Sequence, residues 1–203
     1  NTSDFPFIAK NLEGSLINFP TEEFLDVLSQ IIFAVSEDQS RPVLTGVLFI
    51  FDKNKLTLVA TDGFRLSMRS MSLKENLPEG FSQKIILPKS SLSELVKIAA
   101  GTKEISFTYK KEENQVIFEV GDSIVATRII EGDFPNFEKI IPKTKNTSIN
   151  ISKEDFLRAV KLSSVFARES SNSVKLVVKS GSVELNAESS SSGREQNIVE
   201  VKS

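Results

Sequence analysis

Cysteine and histidine are both missing from this 203-residue chain, and tyrosine occurs once. Without cysteine there is no disulfide framework and no thiolate metal site, which fits a reducing, cytoplasmic setting. Without histidine the commonest general base and the commonest zinc ligand are gone. No apolar run approaches the roughly 18–20 residues that span a bilayer, and no stretch has the build of a signal peptide. The first residue is Asn1 rather than Met, so the chain is expected to start partway through a longer protein. Neither the phosphate-loop pattern GxxxxGK[ST] nor the nucleophile-elbow pattern GxSxG occurs. Catalysis would have to run on carboxylates, lysines, serines or Tyr109. Asp62, Asp122, Glu131 and Asp133 are the acidic candidates, but Asp62 and Asp122 occupy matching turns and are explained as turn residues. The expectation is no catalytic residue, no cofactor and no metal. A basic excess is also lacking, because 25 Lys and Arg stand against 27 Asp and Glu. That removes a global signature of nucleic-acid binding but leaves room for one basic face.

What is present is a hydrophobic content of 39%, enough for a packed core, and a long internal repeat. "LINFPTEEFLDVLSQII" (16–32), "IILPKSSLSELVKIAA" (85–100) and "INISKEDFLRAVKLSS" (149–164) each read as an apolar strand, a Pro or Ser, and a helix. From the anchors Pro20, Pro88 and Ser152, apolar residues recur four, seven and eight positions on. They are Phe24, Val27 and Leu28; Leu92, Leu95 and Val96; Phe156, Ala159 and Val160. That spacing is one helix face. Thr21, Ser90 or Ser152 is placed to cap the free N–H groups of the first turn. Alternating strand-like segments follow each helix, giving units of a strand, a helix and about three more strands, with a period of 64–68 residues. Duplicated units of this size predict α+β domains with helices on one side of antiparallel sheet. The expected organisation is a linker over 1–15, a two-unit domain over 16–143, and the first half of a second domain over 144–203. Pro142–Thr147 forms the polar junction.

One hairpin stands out. In "LVATDGFRLSMR" (58–69) Leu56, Leu58 and Ala60 share a strand face, Asp62 can bond backbone within the turn, and Gly63 can supply positive φ. On the plainest reading Phe64 and Leu66 turn into the core and Arg65 is merely solvated.

"VATDGFRLS" also resembles the segment by which bacterial sliding clamps, the beta subunit of DNA polymerase III, are known. That family's usual form is ATDGHRL, and this chain departs from it only in carrying Phe64 in place of histidine. "RPVLTGVLF" (41–49) and "VGDSIVATRIIEGDFPNFEKIIP" (120–142) resemble further family segments in order and spacing, and the likeness runs from about Leu16 to the end. The resemblance implies the DNA-clamp fold, with antiparallel sheets outside and helices toward a central hole. It implies a head-to-tail homodimeric ring of three-domain subunits threaded by duplex DNA, a processivity factor that catalyses nothing itself. This chain would be the middle domain plus the first half of the third, and alone it is expected to be monomeric. The resemblance also implies a hydrophobic groove for short peptides of the polymerase alpha subunit, the clamp loader, other polymerases and repair proteins. Its expected residues here are Leu44, Thr61, Gly63, Phe64, Arg65, Leu66, Pro135, Lys139 and Ile140. Leu44 and Leu66 would be walls, and Thr61 and Arg65 polar contacts.

Encircling DNA calls for phosphate contacts without base readout. The candidates are Lys89 and Lys97 on the second helix and Arg158, Lys161 and Arg168 on or after the third. Arg41 compensates for an acidic first helix bearing Glu22, Glu23 and Asp26. The alternative is a protein-interaction scaffold that does not encircle DNA. In it the serine-rich Glu188–Glu195 would be a display loop; by the repeat it is a long hairpin turn.

Overall fold

The structure, a computed structural model, describes residues 16–73, 77, 81–168, 172–189 and 193–200. The expected linker over 1–15 lies outside them. The chain divides into two compact units after Asn136.

The first unit contains two of the three repeats. One runs β1 (Leu16–Pro20), α1 (Thr21–Ser29), β2 (Gly46–Asp52), β3 (Lys55–Thr61) and β4 (Leu66–Ser72). The other runs β5 (Gln83–Pro88), α2 (Lys89–Ala99), β6 (Glu104–Lys110), β7 (Gln115–Val120) and β8 (Ser123–Arg128). Their strands form two four-stranded sheets, ordered β4-β3-β2-β5 and β1-β6-β7-β8, with every pair antiparallel. Each repeat therefore donates its opening strand to the other repeat's sheet.

The prolines explain where these edge strands stop. Pro20 pairs with Glu104 and Pro88 with Gly46, at the last register position of each ladder. Proline has no N–H to continue a ladder, and its φ is already close to helical. The helix starts at the next residue in both cases. Thr21 and Ser90 do not cap these helices, contrary to the sequence expectation. Pro20 and Pro88 hold the N-cap positions, and neither helix has a side-chain cap. The first N–H groups are met by backbone of the other repeat instead: Thr21 N–H donates to the Lys103 carbonyl at 3.1 Å, and Lys89 N–H to the Thr45 carbonyl at 3.2 Å. These two bonds are equivalent under the repeat.

The face at positions four, seven and eight packs inward as its spacing requires. Phe24, Val27, Leu28, Leu92 and Leu95 are buried, and Val96 lies against the same core. Phe19, Phe24, Phe49, Phe51, Phe107 and Phe118 are all fully buried. Phe19 stacks on Phe24 at 4.7 Å between centroids, Phe51 meets Phe107 at 5.1 Å, and Phe107 meets Phe118 edge-on at 5.4 Å. The rings come from both repeats, so the cluster is what holds them together.

The second unit holds the third repeat. Its opening strand is a single bridge at Ile151, followed by α3 (Lys153–Ala167), β9 (Lys175–Lys179), β10 (Ser182–Ser189) and β11 (Gly193–Glu200), in sheet order β11-β10-β9. Here Ser152 does cap: its hydroxyl accepts from the Asp155 N–H at 3.4 Å. Ala159, Val183, Leu185 and Val199 form the core, with Phe156 and Val160 packed against it. Leu162, Val165, Leu176 and Val178 stay at least 48% exposed. The serine-rich segment is not a long loop along its whole length. β10 runs to Ser189, which pairs with Gly193 at the start of β11, and Ser190–Ser192 lie outside the described residues.

Replacing Phe107 by alanine is expected to destabilise the first unit by about 3–5 kcal/mol, through lost burial plus a cavity bordered by other rings. Urea unfolding followed by circular dichroism reads this directly. A loss below about 1 kcal/mol would mean that the ring cluster does not hold the repeats together.

Candidate partner-binding site

The β3–β4 hairpin closes on the pair Thr61–Leu66, leaving Asp62–Arg65 as the loop. In the second repeat the matching β7–β8 connection closes on Val120–Ser123 around Gly121 and Asp122 alone. The two turns correspond in the repeat, but the first is two residues longer, and those residues are Phe64 and Arg65.

Asp62 organises the extra length. Its Oδ1 accepts from the Phe64 and Arg65 N–H groups, both at 2.9 Å, and its Oδ2 accepts from Arg65 Nε at 3.0 Å. Gly63 sits at φ +92°, and a β-carbon at that position would meet nothing closer than 3.6 Å. Backbone conformation rather than space therefore calls for glycine there. The Thr61 hydroxyl accepts from the Gly63 N–H at 3.1 Å and donates to the Arg65 carbonyl at 2.7 Å. The loop thus bonds the Gly63, Phe64 and Arg65 N–H groups and the Arg65 carbonyl internally.

The consequence for Phe64 overturns the plain reading of the hairpin. Phe64 is 98% exposed and Leu66 half-buried. Strand alternation stops at Thr61, because Asp62 folds the next residues into a turn and not into a strand. Arg65 is not merely solvated: besides its bond to Asp62, its guanidinium lies 5.6 Å from the centroid of the Phe33 ring.

Two expected groove residues are less available than anticipated. Thr61 is 5% exposed with its hydroxyl engaged inside the loop, and Leu44 is 4% exposed at the end of the 3-10 turn Pro42–Leu44. Neither side chain offers accessible surface. Pro135 is exposed in the same unit, on a segment whose Gly132 abuts Val43, next to Leu44. Lys139 and Ile140 belong to the second unit, both exposed, Ile140 at 66%.

Beside the tip an open cleft of about 330 Å³ is lined by Phe33, Val35, Arg41, Phe64, Arg65 and Lys89, among others. Phe33 and Val35 were missed from sequence. One signal was available: Phe33 falls thirteen residues after Pro20, off the face that buries Phe24, Val27, Leu28 and Ile31.

Four of the candidate DNA-facing residues have an acidic neighbour. Arg41 lies 3.8 Å from Asp38, Lys89 3.3 Å from Glu37, Lys97 2.7 Å from Glu94, and Arg158 3.5 Å from Asp155. Such exposed pairs are weak and screened by salt, so a phosphate can displace the carboxylate. Lys161 and Arg168 are exposed, the latter at the C-terminal end of α3.

The Asp62 carboxyl is held below its ordinary value of 3.8, chiefly by the Arg65 N–H, then by the Phe64 N–H, with the Arg65 guanidinium adding to them. A lowered folded value means the contribution is fully present above the ordinary value and fades as pH falls through the lowered one. In an acid titration followed by NMR, the Phe64 and Arg65 amide signals are expected to move with a midpoint below 3.8. A midpoint at or above it would contradict these bonds.

Residues 18–136 match the family model of the DNA polymerase III beta subunit central domain, and residues 138–203 that of its C-terminal domain. The chain is 32% identical over 196 residues to the beta sliding clamp of Bacillus subtilis, covering 96% of this chain and 51% of that protein. It is 33% identical over 187 residues to the beta sliding clamp of Staphylococcus aureus, covering 91% and 48%. Among solved structures, the DNA polymerase sliding clamp from Bacillus subtilis superposes with a TM-score of 0.91 at 30% identity, over 100% of this chain and 53% of that one. The DNA polymerase III beta subunit from Thermotoga maritima gives 0.87 at 26% identity, over 100% and 54%. The chain spans about half the length of the curated relatives it matches. Fold, repeat and motif agree with these matches, and the chain belongs to the DNA polymerase III beta subunit family.

Proposed function

We propose that this chain is part of a sliding clamp, a ring that encircles duplex DNA and raises the processivity of DNA polymerase III without catalysing any step. The complete subunit acts in the cytoplasm as a head-to-tail homodimer, while this chain alone is monomeric. Lys89, Lys97, Arg41, Arg158, Lys161 and Arg168 offer exchangeable, non-specific contacts to phosphate, which suits a protein that must slide. Polymerase alpha subunit, clamp loader and repair proteins dock by short peptides at the hairpin tip, against Gly63, Phe64, Arg65 and Leu66, with Leu44 and Thr61 buried. Pro135, exposed in the same unit, supplies a further wall.

The observation that carries this reading is the internally braced loop. Its Gly63, Phe64 and Arg65 N–H groups are bonded within the loop, yet it presents a fully exposed phenylalanine and an arginine at its tip. Preorganised apolar and polar groups of this kind are what a peptide groove requires. Phe64 in place of the family's histidine makes that position apolar, which favours an apolar neighbour in the partner peptide.

Fluorescence anisotropy with a labelled peptide that begins Gln-Leu and ends Leu-Phe tests the groove. Binding in the micromolar range is expected, weakened by more than roughly 1 kcal/mol in Arg65→Ala and in Leu66→Ala. A folded protein that binds no peptide, or equal affinity in all three, contradicts the groove.

A further inference from the structure

Phe33 and Phe64 are the only described phenylalanines on the exposed side of the molecule, at 56% and 98%, and both line the cleft beside the hairpin tip. Six other rings are fully buried in the core, so the chain does not expose phenylalanine freely. Phe33 sits in the 3-10 turn Ile32–Ala34 that follows α1. That turn is fixed beside the hairpin by a long-range bond: the Ser67 hydroxyl, on the second residue of β4, donates to the Gln30 carbonyl at 2.6 Å. Ile31 beneath it is fully buried, which anchors the turn while leaving the Phe33 ring outside.

The ring meets a cation there. Arg65 has its guanidinium 5.6 Å from the Phe33 centroid and its Nε on Asp62 at 3.0 Å. A guanidinium held against a ring face and by one carboxylate oxygen has lost most of its rotamer freedom before any partner arrives. Its side chain nevertheless stays 59% exposed. The Nε is taken by Asp62, so the terminal nitrogens are the ones left for a partner.

We propose that Phe33 is a positioning residue of the peptide groove. Its ring holds the Arg65 guanidinium in the orientation that a partner peptide meets, and so lowers the ordering cost of binding. The role rests on the groove reading given above, and it adds the 3-10 turn after α1 to the elements that set affinity. The ring's aromatic character is what matters here, because an aliphatic side chain of similar size fills the same space without attracting the cation.

The full chain and the same labelled peptide test it. Phe33→Leu is expected to weaken binding about two- to fivefold while Phe33→Tyr keeps wild-type affinity. Both variants should keep the wild-type urea midpoint. In the Arg65→Ala background, Phe33→Leu should cause no further loss, since the ring acts through that arginine. A second readout needs no peptide: the Arg65 Nε–H signal in NMR should carry a ring-current shift in wild type and in Phe33→Tyr that disappears in Phe33→Leu. Wild-type affinity in Phe33→Leu, or an equal loss with and without Arg65, overturns the positioning role alone. A wild type that shows the ring-current shift but binds no peptide overturns the groove reading, and the positioning role with it.

Discussion

β1 and β5 each complete the sheet of the other repeat, so neither repeat can close its core alone. The rest of the first unit depends on that exchange. The prolines that end these strands set the helix starts, and the first helical N–H groups are met by Lys103 and Thr45 carbonyls across the exchange. The phenylalanine cluster fills the space between, with rings from β1, α1, β2, β6 and β7. Burial of each such ring contributes about 1.5–3 kcal/mol relative to exposure, so the cluster is a large share of what holds the domain together. The third repeat shows the same order of parts, and its α3 and β9 keep apolar residues exposed.

A rigid frame is what makes the hairpin tip informative. β3 is paired on both sides and buried along most of its length, so the position of Thr61 is determined. From there Asp62 and Thr61 fold four residues into a loop that bonds the Gly63, Phe64 and Arg65 N–H groups and the Arg65 carbonyl internally. Side chains at the tip are then released from structural duty. Phe64 projects into solvent, and Arg65 rests between a carboxylate and a ring.

The sequence was readable where the physics is local and periodic. The spacing of Phe24, Val27 and Leu28, and its echoes in the other repeats, is a helix face whatever the surroundings. Ser152 holds the N-cap position itself and caps, whereas at α1 and α2 that position is taken by Pro20 and Pro88 in place of Thr21 and Ser90. Nothing in a linear pattern shows that Lys103 or Thr45 will supply the missing acceptor. Phe64 was misplaced on the plain reading for a related reason: strand alternation was carried through a loop that an aspartate had already ended. The pairs Glu94–Lys97 and Asp155–Arg158 follow from helical spacing, while Glu37–Lys89 joins residues far apart in the chain and could not be read. Leu44 and Thr61 belong to the groove expected from sequence, yet both side chains are buried.

The proposed clamp would be held on DNA by topology and not by affinity. The exchangeable basic side chains and the net charge of −2 suit that mode and suit ordinary tight binding poorly. The decisive measurement is retention of the complete subunit on a nicked circular plasmid, after loading, in salt that removes electrostatic binding. Retention on the circle followed by release when one restriction cut linearises it is the expected result. Loss from the circle at the same rate as from the linear DNA would contradict encirclement and leave a scaffold that binds peptides alone.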